Sequence, residues 1–126
     1  MVKSDKHILI LASVALGLAV LIGAFGAHGL EKIASAKALK TFQTGVQYHY
    51  YHGFALFILA IIAGVYKIDV QKPALLFLLG IFLFSFNCYL YAMTQVKTFA
   101  MIVPFGGVSF VAGWFTLAYI IKKGIR

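Results

Sequence analysis

Any chemistry in this chain must come from a small set of polar side chains: His28, Gln47, His49, His52, Asn87, Tyr91 and Gln95. Imidazole changes charge near neutral pH and ligates transition metals, so the histidines come first. His49 and His52 are spaced i, i+3, which makes them neighbours on the surface of a helix. With His28 they amount to three neutral imidazoles, a ligand set that zinc accepts and that copper or nickel would also tolerate. The bland alternative is that each histidine is buried and hydrogen-bonded, and a third reading is a proton-titrating or small-ligand site. No carboxylate stands close by to orient metal-bound rings, and His28 has no fixed spacing to the pair, so the structural reading leads and no metal or cofactor is expected.

Catalytic motifs are missing around these residues. There is no glycine-rich phosphate loop, no Ser-His-Asp set and no pair of carboxylates within an apolar run. The three acids, Asp5, Glu31 and Asp69, fall in the connections between apolar runs. Glu31, the acid nearest the histidines, sits beside Lys32 and reads as a solvated charge. The chain is therefore expected not to be an enzyme.

The elements that position these side chains are legible from charge. Four stretches lack Asp, Glu, Lys and Arg, at about 8–27, 46–66, 73–94 and 98–121. Each is near the roughly 20 residues that cross a bilayer as helix. A membrane barrel would instead show alternating segments of about 10 residues. With 63% hydrophobic and only 11% charged residues the chain cannot cover a water-facing surface, since soluble domains carry roughly 25% charge. The expected fold is all-α: one membrane domain over 1–126, with four transmembrane helices in an antiparallel bundle.

Between spans one and two lies the one long connection, 29–45, where Glu31, Lys32, Lys37 and Lys40 alternate with Leu30, Ile33, Ala34, Leu39 and Phe42. That pattern predicts an amphipathic helix lying in the interface before it merges with span two, the alternative being a solvated loop. The other connections are short and force antiparallel neighbours. The first span also has features of a secretory signal, with Lys3 and Lys6 before an apolar run and small residues after it. Its apolar run is longer than the 7 to 15 residues of a typical signal core, so a retained span is expected.

The net charge of +8 is scattered among the gaps between spans, so it reads as headgroup contact and topology signal, not as a nucleic-acid surface. Seven basic residues (Lys3, Lys6, Lys67, Lys72, Lys122, Lys123, Arg126) fall on the side of the termini and four (Lys32, Lys37, Lys40, Lys97) on the other. That bias favours both termini in the cytoplasm of a bacterial inner membrane. The lone cysteine, Cys88, rules out an intrachain disulfide.

An antiparallel bundle brings the end of span one, the start of span two, the end of span three and the start of span four to one face. The polar residues named above all lie there. Unpaired polar groups in hydrocarbon cost several kcal/mol, so they are expected to turn inward into one vestibule and satisfy one another. A second pattern is the run of small residues Ala15, Ala19, Gly23 and Ala27 at strict fours, with Gly106, Ser109, Gly113 and Thr116 on span four. Such faces let helices approach closely, either inside the protomer or between copies. Tyr48, Tyr50, Tyr51, Trp114 and Tyr119 fit aromatic belts or core packing.

The segment Gly23, Ala24, Phe25, Gly26, Ala27, His28, Gly29 resembles the family catalogued as domain of unknown function 423. The resemblance extends over 48–56 around Tyr51, His52 and Gly53, over 85–95, and over Pro104, Phe105, Gly106 and Gly107 followed by Gly113 and Trp114. It implies four membrane helices and no assigned activity. The family pattern has Gln where this chain has His49, and Gly with Ser where it has Phe86 and Asn87. The resemblance thus carries over His28 and His52 and argues against a three-histidine metal site.

Together these residues point to a non-enzymatic accessory or self-associating membrane module with a polar cluster in one leaflet. Its expected partners are the bilayer and either further copies or a larger membrane complex. The competing reading is a module that binds or transports a small solute, lipid, proton or metal in a vestibule around His28, His49 and His52.

Overall fold

The computed structural model describes residues 3–126. Among them it contains helix and connections and no strand. The elements are α1 (Lys3–His28), a 3-10 turn (Leu30–Lys32), α2 (Ala36–Tyr66), α3 (Gln71–Gly80), a π-helical turn (Ile81–Phe86), α4 (Asn87–Thr94) and α5 (Lys97–Gly124). The α3, π and α4 segments run on as one span, Gln71–Thr94, so the chain crosses the membrane four times.

Each helix extends past the apolar run that announces it, because nothing in the flanking residues breaks the helix sooner. α1 takes in Asp5, which lies buried in its first turn and not in a connection. An acid there complements the partial positive charge of the helix start. α2 begins about ten residues earlier than its charge-free stretch. The Ser35 side chain accepts the Ala38 N–H at 3.1 Å and caps it, as residues of this type do at helix starts. The amphipathic stretch is consequently not a separate interfacial helix. Its first part is the 3-10 turn and the rest forms the opening turns of α2, with Ala38 and Phe42 buried and Lys37 and Lys40 exposed. At about 1.5 Å per residue, α2 spans roughly 46 Å and must project beyond a hydrocarbon core of about 30 Å.

The turns are closed by local bonds. Lys67 adopts a left-handed conformation with φ 58° and donates its N–H to Ala63 at 2.9 Å, and the Asp69 carboxylate accepts the Gln71 N–H at 2.9 Å to start α3. Gln95, with φ 56°, ends α4 in the same way.

α2 is the central helix. It packs against α1 on one side and against the π turn and α4 on the other, while α5 packs on α3, the π turn and α4. α1 rests chiefly on α2 and is the least buried of the four spans. Two apolar clusters form the core. The larger joins Ile8, Ala12, Leu56, Leu59, Phe77, Ile81, Phe110 and Leu117. The smaller joins Leu30, Ala38, Phe42, Tyr89 and Ala92.

Close backbone approaches fix this arrangement. α3 and α5 exchange rings across their interface, for a Cβ on Gly80 would lie 2.3 Å from the Phe110 ring and one on Gly113 would lie 2.6 Å from Phe77. At Gly106 the neighbour is backbone itself: a Cβ would fall 2.3 Å from the Phe84 nitrogen in the π turn. Ala15, Ala19 and Gly23 face α2 inside the protomer, whereas Ala27 is exposed and leaves the stripe. The helix has passed the end of its packed face by that residue, since 3.6 residues per turn lets a repeat of four drift around the axis.

Candidate functional site

The sequence places its chemistry on α2, and the structure divides it. His49 and His52 lie on neighbouring positions of that helix, yet three residues correspond to about 60° of separation around the axis. Because α2 stands between two neighbours, that angle sends the two rings to different partners.

His52 turns toward α5. Its Nε2 accepts the indole N–H of Trp114 at 3.1 Å, and its Nδ1 lies 2.8 Å from the carbonyl of Tyr48. An indole N–H only donates and a carbonyl only accepts, so the proton sits on Nδ1 and the ring is neutral. The imidazole stacks on Phe110 at 3.6 Å between centroids and 9° between planes, with Phe77 edge-on at 5.2 Å. Both nitrogens are committed and both faces are covered.

His49 turns toward α1 and α4 and is fully buried. Its Nδ1 meets the Tyr89 hydroxyl at 2.8 Å, and Phe86 stands perpendicular to the ring at 5.7 Å. Its Nε2 is buried and makes no hydrogen bond of full geometry, and the ring lies against the backbone of Ala15 on α1. The Ser85 hydroxyl, one helical turn before Tyr89, is likewise buried without a formed bond.

The remaining candidates do not join them. His28 ends α1 and is exposed. Among the described residues no three His, Cys, Asp or Glu side chains are placed to share a metal ion. Asn87 serves the backbone: its Nδ2 donates to two carbonyls of the π turn, Leu83 at 2.9 Å and Phe82 at 3.3 Å. Gln47 donates to the Tyr51 hydroxyl on the exposed face of α2. Tyr91 is half-buried and supplies the carbonyl that receives the Gln95 N–H at 2.7 Å, while the Gln95 side chain is exposed at the helix end. The single vestibule expected from the sequence is thus replaced by several small pairings within one helix or with one neighbour, while His28 and the Gln95 side chain stand exposed at helix ends. Local bonding within a helix is always in reach, whereas convergence of seven side chains requires an open space that packed rings fill.

Three residues that the sequence places only in general terms, Tyr89 in the polar half of span three, Trp114 among belt or core aromatics and Ser109 on a small-residue face, prove to be contributors. Tyr89 and Trp114 are the partners of the two histidines, and Ser109 donates to the Leu76 carbonyl at 2.7 Å to tie α5 to α3. Trp114 lies 62 residues from His52. The usable signal is chemical: a partly buried indole N–H in lipid needs an acceptor, and the apolar spans offer very few.

A comparison with known proteins bears on this four-span chain with its paired histidines. The sequence model of the family described as "Protein of unknown function (DUF423)" matches residues 22–107. The chain belongs to this family. Family likeness reaches beyond the matched segment. A UPF0382 membrane protein of Staphylococcus saprophyticus is 41% identical over 112 residues, covering 89% of this chain and 93% of the relative. The UPF0382 membrane protein YwdK of Bacillus subtilis is 40% identical over 122 residues, covering 94% and 98%. One from Staphylococcus haemolyticus is 39% identical over 112 residues, covering 89% and 92%. No solved structure matches. The family members named here are bacterial membrane proteins, and the four apolar helices described above agree with that name.

Proposed function

We propose that the chain is a non-catalytic helical module of the bacterial inner membrane, an accessory or self-associating subunit with both termini in the cytoplasm. The observation that supports this reading is the engagement of His52. A catalytic or metal-binding imidazole needs a free nitrogen, and both nitrogens of His52 are taken by Trp114 and by the backbone of Tyr48. The ring acts as a polar rivet between α2 and α5. The excess of lysine and arginine on the side of the termini supports the orientation.

The reading is tested with the purified full chain in mild detergent. His52→Leu is expected to lower the thermal unfolding midpoint, and an unchanged midpoint would overturn the structural role. Native mass spectrometry of the same preparation is expected to show more than one copy, and strictly monomeric protein at high concentration would overturn self-association.

A further inference from the structure

α1 is held chiefly by α2 and does not close against span three, so a seam opens sideways between α1 and Gln71–Thr94. On the side of the termini the seam is a depression of about 340 Å³, with Ile8 and Leu11 on one wall and Ala74, Leu75 and Leu78 on the other. His7 and Gln71 line it where the two helices begin. Leu11 and Leu78 also line a deeper cavity of about 170 Å³ that reaches Leu18 and Phe86. From position 7 to position 18 of α1 this groove runs for about 17 Å, close to the depth of one leaflet of a hydrocarbon core about 30 Å thick.

Apolar walls that face each other across a gap gain dispersion contacts on both sides from a chain lying between them, and the bilayer offers acyl chains from the side. The rim sets this groove apart from ordinary lipid-facing surface. His7 and Gln71 carry N–H donors, and the exposed Lys6 and Lys72 adjoin them. Lys72 stands one turn before Leu75 of the wall, so its side chain emerges beside the groove. The two acids nearby serve the helix starts: Asp5 is buried in the first turn of α1, and the Asp69 carboxylate accepts the Gln71 N–H. Neither lines the groove. The other leaflet supplies a contrast. There the same seam holds a depression of about 330 Å³ between Leu21, Ile22 and Phe25 on α1 and Tyr89 and Met93 on α4, and no charged or amide side chain lines it. Two depressions of nearly equal size thus differ in their polar groups.

We propose that the half of the seam on the side of the termini binds one anionic phospholipid, with an acyl chain along the groove between Leu11 and Leu78 and the phosphate received by His7, Gln71, Lys6 and Lys72. Each part of this ligand answers a feature of the site. The chain matches a groove one leaflet deep, the negative charge matches the lysines, and the phosphate oxygens accept from the N–H donors of the rim. The proposal concerns binding alone. It stands independently of the accessory role and of which compartment holds the termini.

The test is native mass spectrometry of the full chain in detergent, titrated with phosphatidylglycerol and with phosphatidylcholine of the same acyl chains. One phosphatidylglycerol is expected to stay bound per chain, about fivefold or more tighter than phosphatidylcholine, the factor that one lysine at the membrane surface supplies. Glycerol 3-phosphate, a phosphate head without chains, is expected not to bind at the same concentrations, and binding as tight as that of the lipid would remove the groove from the site. Lys6→Gln combined with Lys72→Gln should abolish the preference between the two lipids. Leu11→Trp, at an exposed position that lines both cavities, fills the groove and should weaken both lipids. Leu21→Trp, in the depression of the other leaflet, should leave both affinities unchanged. Equal affinity for the two lipids, a preference that survives the double lysine variant, parent-like binding by Leu11→Trp, or equal weakening by Leu21→Trp would overturn the proposal.

Discussion

Trp114 and His52 form a pair whose worth can be measured. Trp114→Phe keeps an aromatic ring beside Phe77 and removes only the donor to Nε2. It is expected to lower stability by about 1 kcal/mol, in line with single hydrogen bonds in proteins and between membrane helices. Combining it with His52→Leu should cost less than the sum of the two, because each variant already breaks the same bond. Strict additivity in thermal or denaturant unfolding would show that the two residues are not coupled. Cys88, by contrast, packs against the α2 backbone at Gly45, where an added Cβ would approach within 2.7 Å of its own. Its role is steric.

At the scale of elements, the π turn Ile81–Phe86 is the irregular feature on which the others converge. α5 presses Gly106 onto its backbone, and Asn87 bonds two of its carbonyls. Gly106→Ala would set a methyl group 2.3 Å from the Phe84 nitrogen, which cannot yield as a side chain can. The expected loss is about 1–3 kcal/mol or more, the range of overpacked cores. Gly107→Ala meets its nearest atom only at 3.9 Å, and should stay within about 0.5 kcal/mol of the parent. Asn87→Leu removes both bonds and is expected to cost about 1 kcal/mol. Thermal unfolding of the three variants side by side checks the order, and a Gly107 effect as large as that of Gly106 would contradict the close approach.

For the molecule as a whole, four crossings put both termini on one side, and the proposed orientation, which the basic bias favours, has that side in the cytoplasm. Single-cysteine variants in a Cys88→Ser background read this directly in intact cells. Lys40→Cys and Lys97→Cys should react with an impermeant maleimide added outside, whereas Asp69→Cys and Arg126→Cys should react only after the membrane is opened. The reverse pattern would invert the topology. The weak seating of α1 also belongs to this scale. Held chiefly by α2, it leaves the side groove against α3 that a closed four-helix ring would have filled.

Much of this was written in the local sequence. Charge-free runs near 20 residues specify membrane helices because lipid tolerates no unpaired backbone, and short connections then impose antiparallel neighbours. The spans at 8–27, 46–66, 73–94 and 98–121 all appear within longer helices. The starts of all four and the ends of the first and last lie further out, as where Ser35 caps α2, because capping depends on backbone conformation that hydropathy does not register. The ends at 66 and 94, by contrast, fall where the charge-free runs stop and are closed by left-handed Lys67 and Gln95. The candidate site was legible only in part. That His49 and His52 are buried polar groups on α2 follows from their surroundings in the sequence. Which side chains they meet does not, because Tyr89 and Trp114 reach them through the rotation of α2 between its neighbours and through the π turn that re-aims α4. A few tens of degrees about a helix axis separate one shared vestibule from two independent pairings, and only packing sets that angle.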